Sequence, residues 1–436
     1  MKKVILCIGL LVIFGLIAGC ATTQIPQKGE LKVGVIASMT GPASTTGKDI
    51  WQSAVLAADE INAQGGVFVK ELNKKVQVVL IQGDDESTRE GGQKAVSKLI
   101  TQDGVDVLVG GFSSAVVSAH QSIVAEQGVP YIVSGGSSTS VSRRTDIDMS
   151  SMFFHRPNTD DSAQVTTLFA SEVIRPAINA KFSFPESRRL RMAVIYQDSP
   201  YGKGQLSAMN ATITGENLPI QVVAQESYTM GSTDFRTQMT KIKAANPDVI
   251  YAASFLNEQI PLVQQARRDV GMDTIILAIE PCDDPDYYSG TGRYGEFSIL
   301  ESRFSPYAVP RGSTSVAIQQ FVQNFDKKWQ GFPGMMGAAT YESIYITKEA
   351  VEKAGTMNRS KVQEALATIE VPQMMEAMKG GKITFANQYH ESKFDLYMEQ
   401  LIWDDSAGEL RPKIVWPEAL KETDFVLPDW YKPGTG

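Results

Sequence analysis

The chain has 436 residues, 43% hydrophobic and 21% charged, with 41 Lys and Arg against 49 Asp and Glu. Such a length suggests about two to three domains, and the mixed composition excludes both a disordered chain and a polytopic membrane protein. A formal net charge of −8 with no long basic run argues against nucleic-acid binding, and 3 His and 3 Cys argue against a His- or Cys-rich metal centre.

Lys2 and Lys3 precede an uncharged apolar stretch from Val4 to Ala18, which Gly19 and Cys20 follow. This is the pattern of a secretory signal. A membrane anchor is the competing reading, but Val4 to Ala21 is barely long enough to span and no basic cluster follows it. The ending Ile17-Ala18-Gly19-Cys20 resembles the bacterial lipoprotein box. That resemblance implies removal of residues 1–19, a lipidated Cys20 at the mature N-terminus and a short polar tether over 20–30. Several acyl groups on one Cys would anchor stably. Cys282 is then left without a partner, so no intrachain disulfide is expected and the core must be stable by burial.

From residue 31, short Val- and Ile-rich runs alternate with helical patterns. Leu31–Ser38, Gln77–Gly83, Val105–Gly111 and Val129–Ser134 read as strands buried on both faces of a parallel sheet. Asp49–Ala63, Glu90–Ile100 and Val116–Ala125 keep a helical period between them. Met152–Pro157 reads as a last strand leaving this unit. The pattern repeats with strands Arg191–Gln197, Ile220–Ala224, Asp248–Ser254 and Thr274–Glu280, and with helices Phe235–Ala244 and Ile260–Val270. Two successive units of this kind predict two doubly wound α/β lobes. Ser315–Ile369 is mostly helical and is expected to pack back on the first lobe. Lys382–Pro428 holds short β-like pieces.

Ligands of open α/β sheets bind beyond the carboxyl ends of the strands, so the loops there matter most. Phe112-Ser113-Ser114-Ala115 follows one strand of the first lobe, and Gly135-Gly136-Ser137-Ser138-Thr139-Ser140 follows its neighbour. Each loop alone reads as an ordinary helix cap or turn. Side by side they suggest a shelf of hydroxyls and free N–H groups for an anion. In the second lobe, Asp198 to Gly202, Phe255-Leu256 and Glu280 end successive strands. An acid ending an apolar strand needs a positive partner. No Lys or Arg stands near Glu280 in sequence, which leaves a ligand ammonium or a pairing across the hinge.

Other motifs carry less. Gly202-Lys203-Gly204, with Glu226 further on, imitates a dinucleotide fingerprint, but Ser207 replaces its last glycine. His120 falls on a helix with no nucleophile elbow around the Ser-rich loops, so hydrolase chemistry is not expected. Asp84-Asp85-Glu86 lacks EF-hand spacing and reads as favourable charge before a helix. Asp283-Asp284-Pro285-Asp286 reads as a solvated turn. No cofactor and no metal site are expected.

Taken together, Val35–Pro42, Gly83–Asp85, Val109–Ser114, Tyr131–Ser138, Ala193–Gly204 and Ile414–Pro417 resemble, in order and spacing, the type I periplasmic substrate-binding proteins of branched-chain amino acid (Leu/Ile/Val) ABC transporters. The resemblance implies two Rossmann-like lobes joined by three hinge crossovers, lobe one spanning 30–157 plus 286–392 and lobe two 158–285 plus 393–436. It implies that Ser114, Gly136, Ser137 and Ser138 hold a ligand carboxylate, that Glu280 meets its ammonium, and that Tyr201 and Phe255 close over it. Thr46 stands where the family often has an aromatic, which implies a larger or more polar side-chain pocket. The disulfide of some members is absent.

The expected function is an extracytoplasmic, lipid-anchored, monomeric receptor that closes on an amino acid or similar small molecule and docks on a membrane permease. The alternative is a sensor of the same fold, taking an amide or aromatic acid and feeding a signalling partner. Catalysis would require a nucleophile–base pair or a metal that the sequence does not present.

Overall fold

The computed structural model describes residues 29–280, 282–310 and 315–434. The expectations for the signal segment 1–19, for Cys20 and for most of the tether lie outside these residues.

The first unit runs β1 (Glu30–Ala37), α1 (Ser44–Ala63), β2 (Val67–Val69), β3 (Lys74–Asp84), α2 (Arg89–Thr101), β4 (Val107–Gly110), α3 (Ser114–Gln127), β5 (Tyr131–Val133), α4 (Thr139–Ser142) and β6 (Met152–Phe154). Its sheet has the order β2-β3-β1-β4-β5-β6, parallel except for the short antiparallel edge strand β2. The second unit runs α5 (Thr159–Phe169), α6 (Arg175–Lys181), β7 (Leu190–Gln197), α7 (Pro200–Gly215), β8 (Ile220–Tyr228), α8 (Arg236–Ala244), β9 (Val249–Ala253), α9 (Leu256–Gln264), β10 (Ile275–Ile279), α10 (Pro285–Thr291) and β11 (Ile299–Ser302). The chain then returns through α11 (Ser315–Trp329), α12 (Met335–Ala354), α13 (Arg359–Ala367), β12 (Glu370–Pro372) and β13 (Lys382–Thr384), and ends in β14 (Tyr397–Asp404) and β15 (Glu409–Trp416). The second sheet has the order β15-β14-β11-β10-β9-β7-β8, with β14 and β15 antiparallel.

The parallel parts of the two sheets wind alike, 3-1-4-5-6 and 8-7-9-10-11. Their central strands are fully buried, as their unbroken apolar sequences require. Each lobe also repeats one close contact. A Cβ on Gly47 would stand 2.0 Å from the Ser38 carbonyl oxygen, and one on Gly202 would stand 2.0 Å from that of Gln197. Only glycine lets the helix that follows the first strand of each parallel sheet, α1 or α7, press so closely on the end of that strand.

The lobes exchange the chain between β6 and α5, between β11 and α11, and between β13 and β14. The first and third passages run together: Phe154 N–H donates to His390 O at 2.8 Å and Ser392 N–H to Phe154 O at 2.9 Å. Residues 286–302, expected in lobe one, lie in lobe two, because α10 packs on α9 and β11 pairs with β10 and β14. The strand Ile-Leu-Glu-Ser is four residues long and half polar, so no apolar run announced it. The returning helices do pack on the first lobe, α12 lying along α1 and over β2 and β4.

Candidate functional site

The carboxyl ends of the two sheets face each other, and the loops after their central strands meet. In lobe one, the loop after β5 is tied to the loop after β4 through Gly136 N–H to Gly111 O at 3.1 Å and Ser138 N–H to Ser114 Oγ at 3.1 Å. In lobe two, the Tyr201 hydroxyl donates to the Ile279 carbonyl at 3.1 Å and also contacts that of Glu280, which fixes the end of β10. Phe255 is held by Glu258, whose carboxylate accepts the Phe255 N–H at 3.1 Å while binding Gln197 and Tyr228.

Between the lobes lies a narrow cavity of about 10 Å³, lined by Phe112, Ser114, Gly135, Ser137 and Met336 from one side and by Tyr201, Phe255 and Glu280 from the other. Ordinary small-molecule sites run roughly 300–1,000 Å³, so with the lobes in this position the cavity has no room for such a molecule. The rings of Phe112 and Phe255 meet across the lobes at 4.6 Å between centroids, and Tyr201 stacks on Phe255 at 5.5 Å. Five of the residues named from the sequence thus converge: Ser114, Ser137, Tyr201, Phe255 and Glu280. Gly136, Ser138 and Thr46 do not line the cavity. The Ser138 hydroxyl caps α4 through the Ser140 N–H, so the ordinary reading of that loop holds for it. Thr46 is buried within α1.

Three lining residues were not anticipated. Phe112 and Gly135 open the two loops singled out above, and their place at the strand ends was the available signal. Met336 belongs to the first turn of α12, which begins at Met335.

Of the two partners left open for Glu280, a structural cation is present. Arg303, at the end of β11, donates through Nη1 to Glu280 Oε1 at 2.9 Å, so the carboxylate has a structural cation. Its other oxygen, Oε2, is buried without a hydrogen-bond partner. Burial pushes this carboxyl up, against the opposing pull of Arg303 and Arg156 and the Ser137 hydroxyl beside it. Arg303 also binds Glu376 through Nε. Beyond it, His155 Nε2 stands 2.7 Å from Glu342 Oε2 and 3.1 Å from Glu376 Oε2, with Nδ1 at 3.1 Å from Ser392 Oγ. These two acids outweigh burial and raise the imidazole to about 9. The His155, Glu342 and Glu376 ligand atoms are close enough for a metal. A protonated imidazole between two carboxylates already balances the charge, with Arg303 on the second acid. Arg156, on the first passage between lobes, is fully buried, and none of its guanidinium nitrogens has a hydrogen-bond partner. Burial lowers it to about 10, while Glu391 and Glu280 favour its charge.

Two further expectations change or settle. Asp283 and Asp284 are not in a solvated turn: they are 0% and 7% exposed, and only Asp286 faces solvent. The turn is drawn in because α10 packs on α9 and carries Tyr287 and Tyr288 into the lobe-two core. His120 is a core residue whose Nε2 lies 3.3 Å from the Tyr131 hydroxyl, and burial lowers it to about 3.

A family model described as periplasmic binding protein matches residues 30–407. The Leu/Ile/Val-binding protein homolog 7 of Brucella melitensis biotype 1 is 24% identical over 422 residues, covering 95% of this chain and 97% of that protein. Among solved structures, the branched-chain amino acid transporter substrate binding protein LivJ of Streptococcus pneumoniae, in complex with isoleucine, superposes with a TM-score of 0.72 at 20% identity, covering 89% of this chain and all of that one. A solute binding protein of an ABC transporter from R. palustris, in complex with benzoate, superposes at 0.70 and 18% identity, covering 90% and 99%.

Proposed function

The chain belongs to the periplasmic binding protein family, and from that premise we propose that it closes its two lobes on a small carboxylic acid, an amino acid in the first instance, and delivers it to an ABC-transporter permease. It is a binding protein and not an enzyme, and the family is extracytoplasmic. No helix among the described residues is long and apolar enough to cross a membrane. We further propose that Cys20 is lipidated and anchors the receptor to a bacterial membrane. Cys20→Ala should then release soluble protein or leave an uncleaved precursor, and an unchanged membrane fraction with an unmodified N-terminus defeats the anchor.

The observation that carries the ligand class is the pairing of unlike faces across one small cavity. Lobe one offers the Ser114 and Ser137 loops, and lobe two offers Glu280 with an unpartnered Oε2. A carboxylate suits the first and an ammonium suits the second. A second reading has its own support. Arg303 already binds Glu280 and Arg156 lies close by, while three aromatic rings line the cavity. That combination suits an aromatic or other acid with no ammonium. A thermal-shift screen with isoleucine, benzoate and related acids and amides tests both, since a ligand at 100 times its Kd adds about 2.7 kcal/mol. Stabilisation by no small acid at saturating concentration overturns the function proposed.

A further inference from the structure

Besides the ligand cavity, the lobes meet at a second place, along the outer mouth of the cleft. Asp49 on α1 is buried, and its two oxygens accept the N–H groups of Gly334 at 3.2 Å and Gly337 at 2.6 Å, at the start of α12. It is therefore fixed to lobe one. Asp284, in lobe two, caps α10 by accepting the Asp286 N–H on Oδ1 at 2.8 Å. Its Oδ2 points across the boundary: a Cβ on Gly334 would stand 2.3 Å from Asp284 Oδ2 and 3.0 Å from Asp49 Oδ2. The two carboxyl groups are thus near neighbours on opposite lobes.

Among the described residues, no Lys, Arg or His pairs with Asp49 or Asp284. Asp286, exposed on α10, adds charge of the same sign, and so does Asp283, which is engaged by Tyr288 and Ser302. Glu409 of β15 is occupied by Arg411. Lys48 is exposed on the next position of α1 and lines the same cleft without an ion pair to either acid, together with Tyr307, Trp329 and Phe332. Two carboxylates brought together out of water cannot both remain ionised. Burial pushes Asp49 up to about 7, with Asp286 adding to the rise. Burial and the charge of Asp49 push Asp284 far above the usual carboxylate range.

We propose that Asp49 and Asp284 form a proton-linked latch, in which closing the lobes buries the pair in protonated form and opening them releases protons. The proposal rests on the hinge-closing reading given above. Its sign is fixed by linkage. Apart and hydrated, both acids titrate near ~4, whereas together Asp49 holds its proton to about 7 and Asp284 holds its own further up. Between ~4 and 7 each closing event therefore takes up at least one proton, so the closed-to-open ratio falls by at least about tenfold per pH unit. The closed form is favoured on the acid side.

Small-angle scattering of the ligand-free protein at pH 5.5 and pH 8 tests this. The expected result is a smaller radius of gyration at pH 5.5, from a closed-to-open ratio at least about 30-fold higher. Asp284→Asn keeps the cap acceptor and removes one of the two charges, so its compaction should depend on pH less steeply than the wild type's, with Asp49 alone taking up a proton on closing. Asp284→Ser is a second neutral cap that should behave alike if the Asn variant does not fold. Asp286→Asn should keep the wild-type response. An unchanged wild-type radius, or a neutral cap variant that responds to pH as fully as the wild type, overturns the latch. If saturating isoleucine or benzoate still compacts the protein in that case, the hinge reading survives. If ligand, pH and substitution all leave the radius unchanged, both readings fall.

Discussion

Arg303 Nη1 lies 2.9 Å from Glu280 Oε1, and the same guanidinium binds Glu376 on the other lobe, so the one acid that lines the ligand cavity is wired into the hinge. Glu280→Gln should therefore act twice. For a ligand with an ammonium, losing a desolvated partner costs about 2–5 kcal/mol, or roughly 30-fold to several thousand-fold in affinity. A ligand without ammonium should lose less than about threefold. Unfolding of the ligand-free protein should also ease by about 1–3 kcal/mol, because Arg303 loses a charged acceptor in a dry site. Calorimetry and urea melts separate the two effects. Unchanged binding of a proven amino-acid ligand would remove Glu280 from the site.

The hinge relay should give an alkaline limb to stability. His155 is raised from 6.5 to about 9 by Glu342 and Glu376, which outweigh its burial. A raised cationic group stabilises fully below its unfolded value and loses that contribution as pH climbs through its folded value. Stability should therefore fall between about pH 6.5 and 9, by roughly 3 kcal/mol in all. His155→Gln should be less stable at pH 6 and should lack this limb. Urea midpoints at pH 6 and pH 9.5 decide it, and a parallel decline in both proteins would assign the limb elsewhere.

The architecture was legible because parallel strands buried on both faces leave continuous apolar runs, and Leu31–Ser38, Arg191–Gln197 and Thr274–Glu280 each mark a real strand to within a residue or two. Two kinds of feature left no such trace. Short strands carry too few residues for a pattern, which hid β2 and β11, and with β11 the true position of the second passage between lobes. Long-range charge pairing is invisible to local reading. Arg303 stands 23 residues from Glu280 and Glu376 lies 73 from Arg303, so Glu280 looked unpartnered. The Asp283–Asp286 turn failed in the opposite direction. Its acids read as solvated, yet Tyr287 and Tyr288 behind them draw the turn inward.

The two helix-start glycines should be equally intolerant. A Cβ at Gly47 or Gly202 would lie 2.0 Å from a strand-end carbonyl oxygen, inside any real contact, and backbone must move to admit it. Gly47→Ala and Gly202→Ala should each destabilise their lobe by about 1–3 kcal/mol, as overpacking does. The helix propensity of Ala offsets under ~1 kcal/mol of that. Thermal melts measure the loss. Neutral substitutions would mean the helix slides freely over the strand end.

The aromatic contact across the cleft can be tested as a closing element. Phe112 and Phe255 stand on different lobes with centroids 4.6 Å apart, and both line the ligand cavity. Lobe separation exposes both faces, so this contact contributes to the closed form alone. Phe255→Ala should weaken binding of the cognate ligand about 10- to 100-fold, the equivalent of ~1.5–3 kcal/mol of lost side-chain burial. Phe112→Ala should have a similar effect. The double variant is the informative one. If the rings hold the lobes together through each other, the two losses should overlap by about 0.5–1.5 kcal/mol. If they add to within about 0.3 kcal/mol, each ring touches the ligand independently and the ring pair does not drive closure. Calorimetric affinities for the four proteins of the cycle, with scattering to confirm that each still closes, distinguish those outcomes.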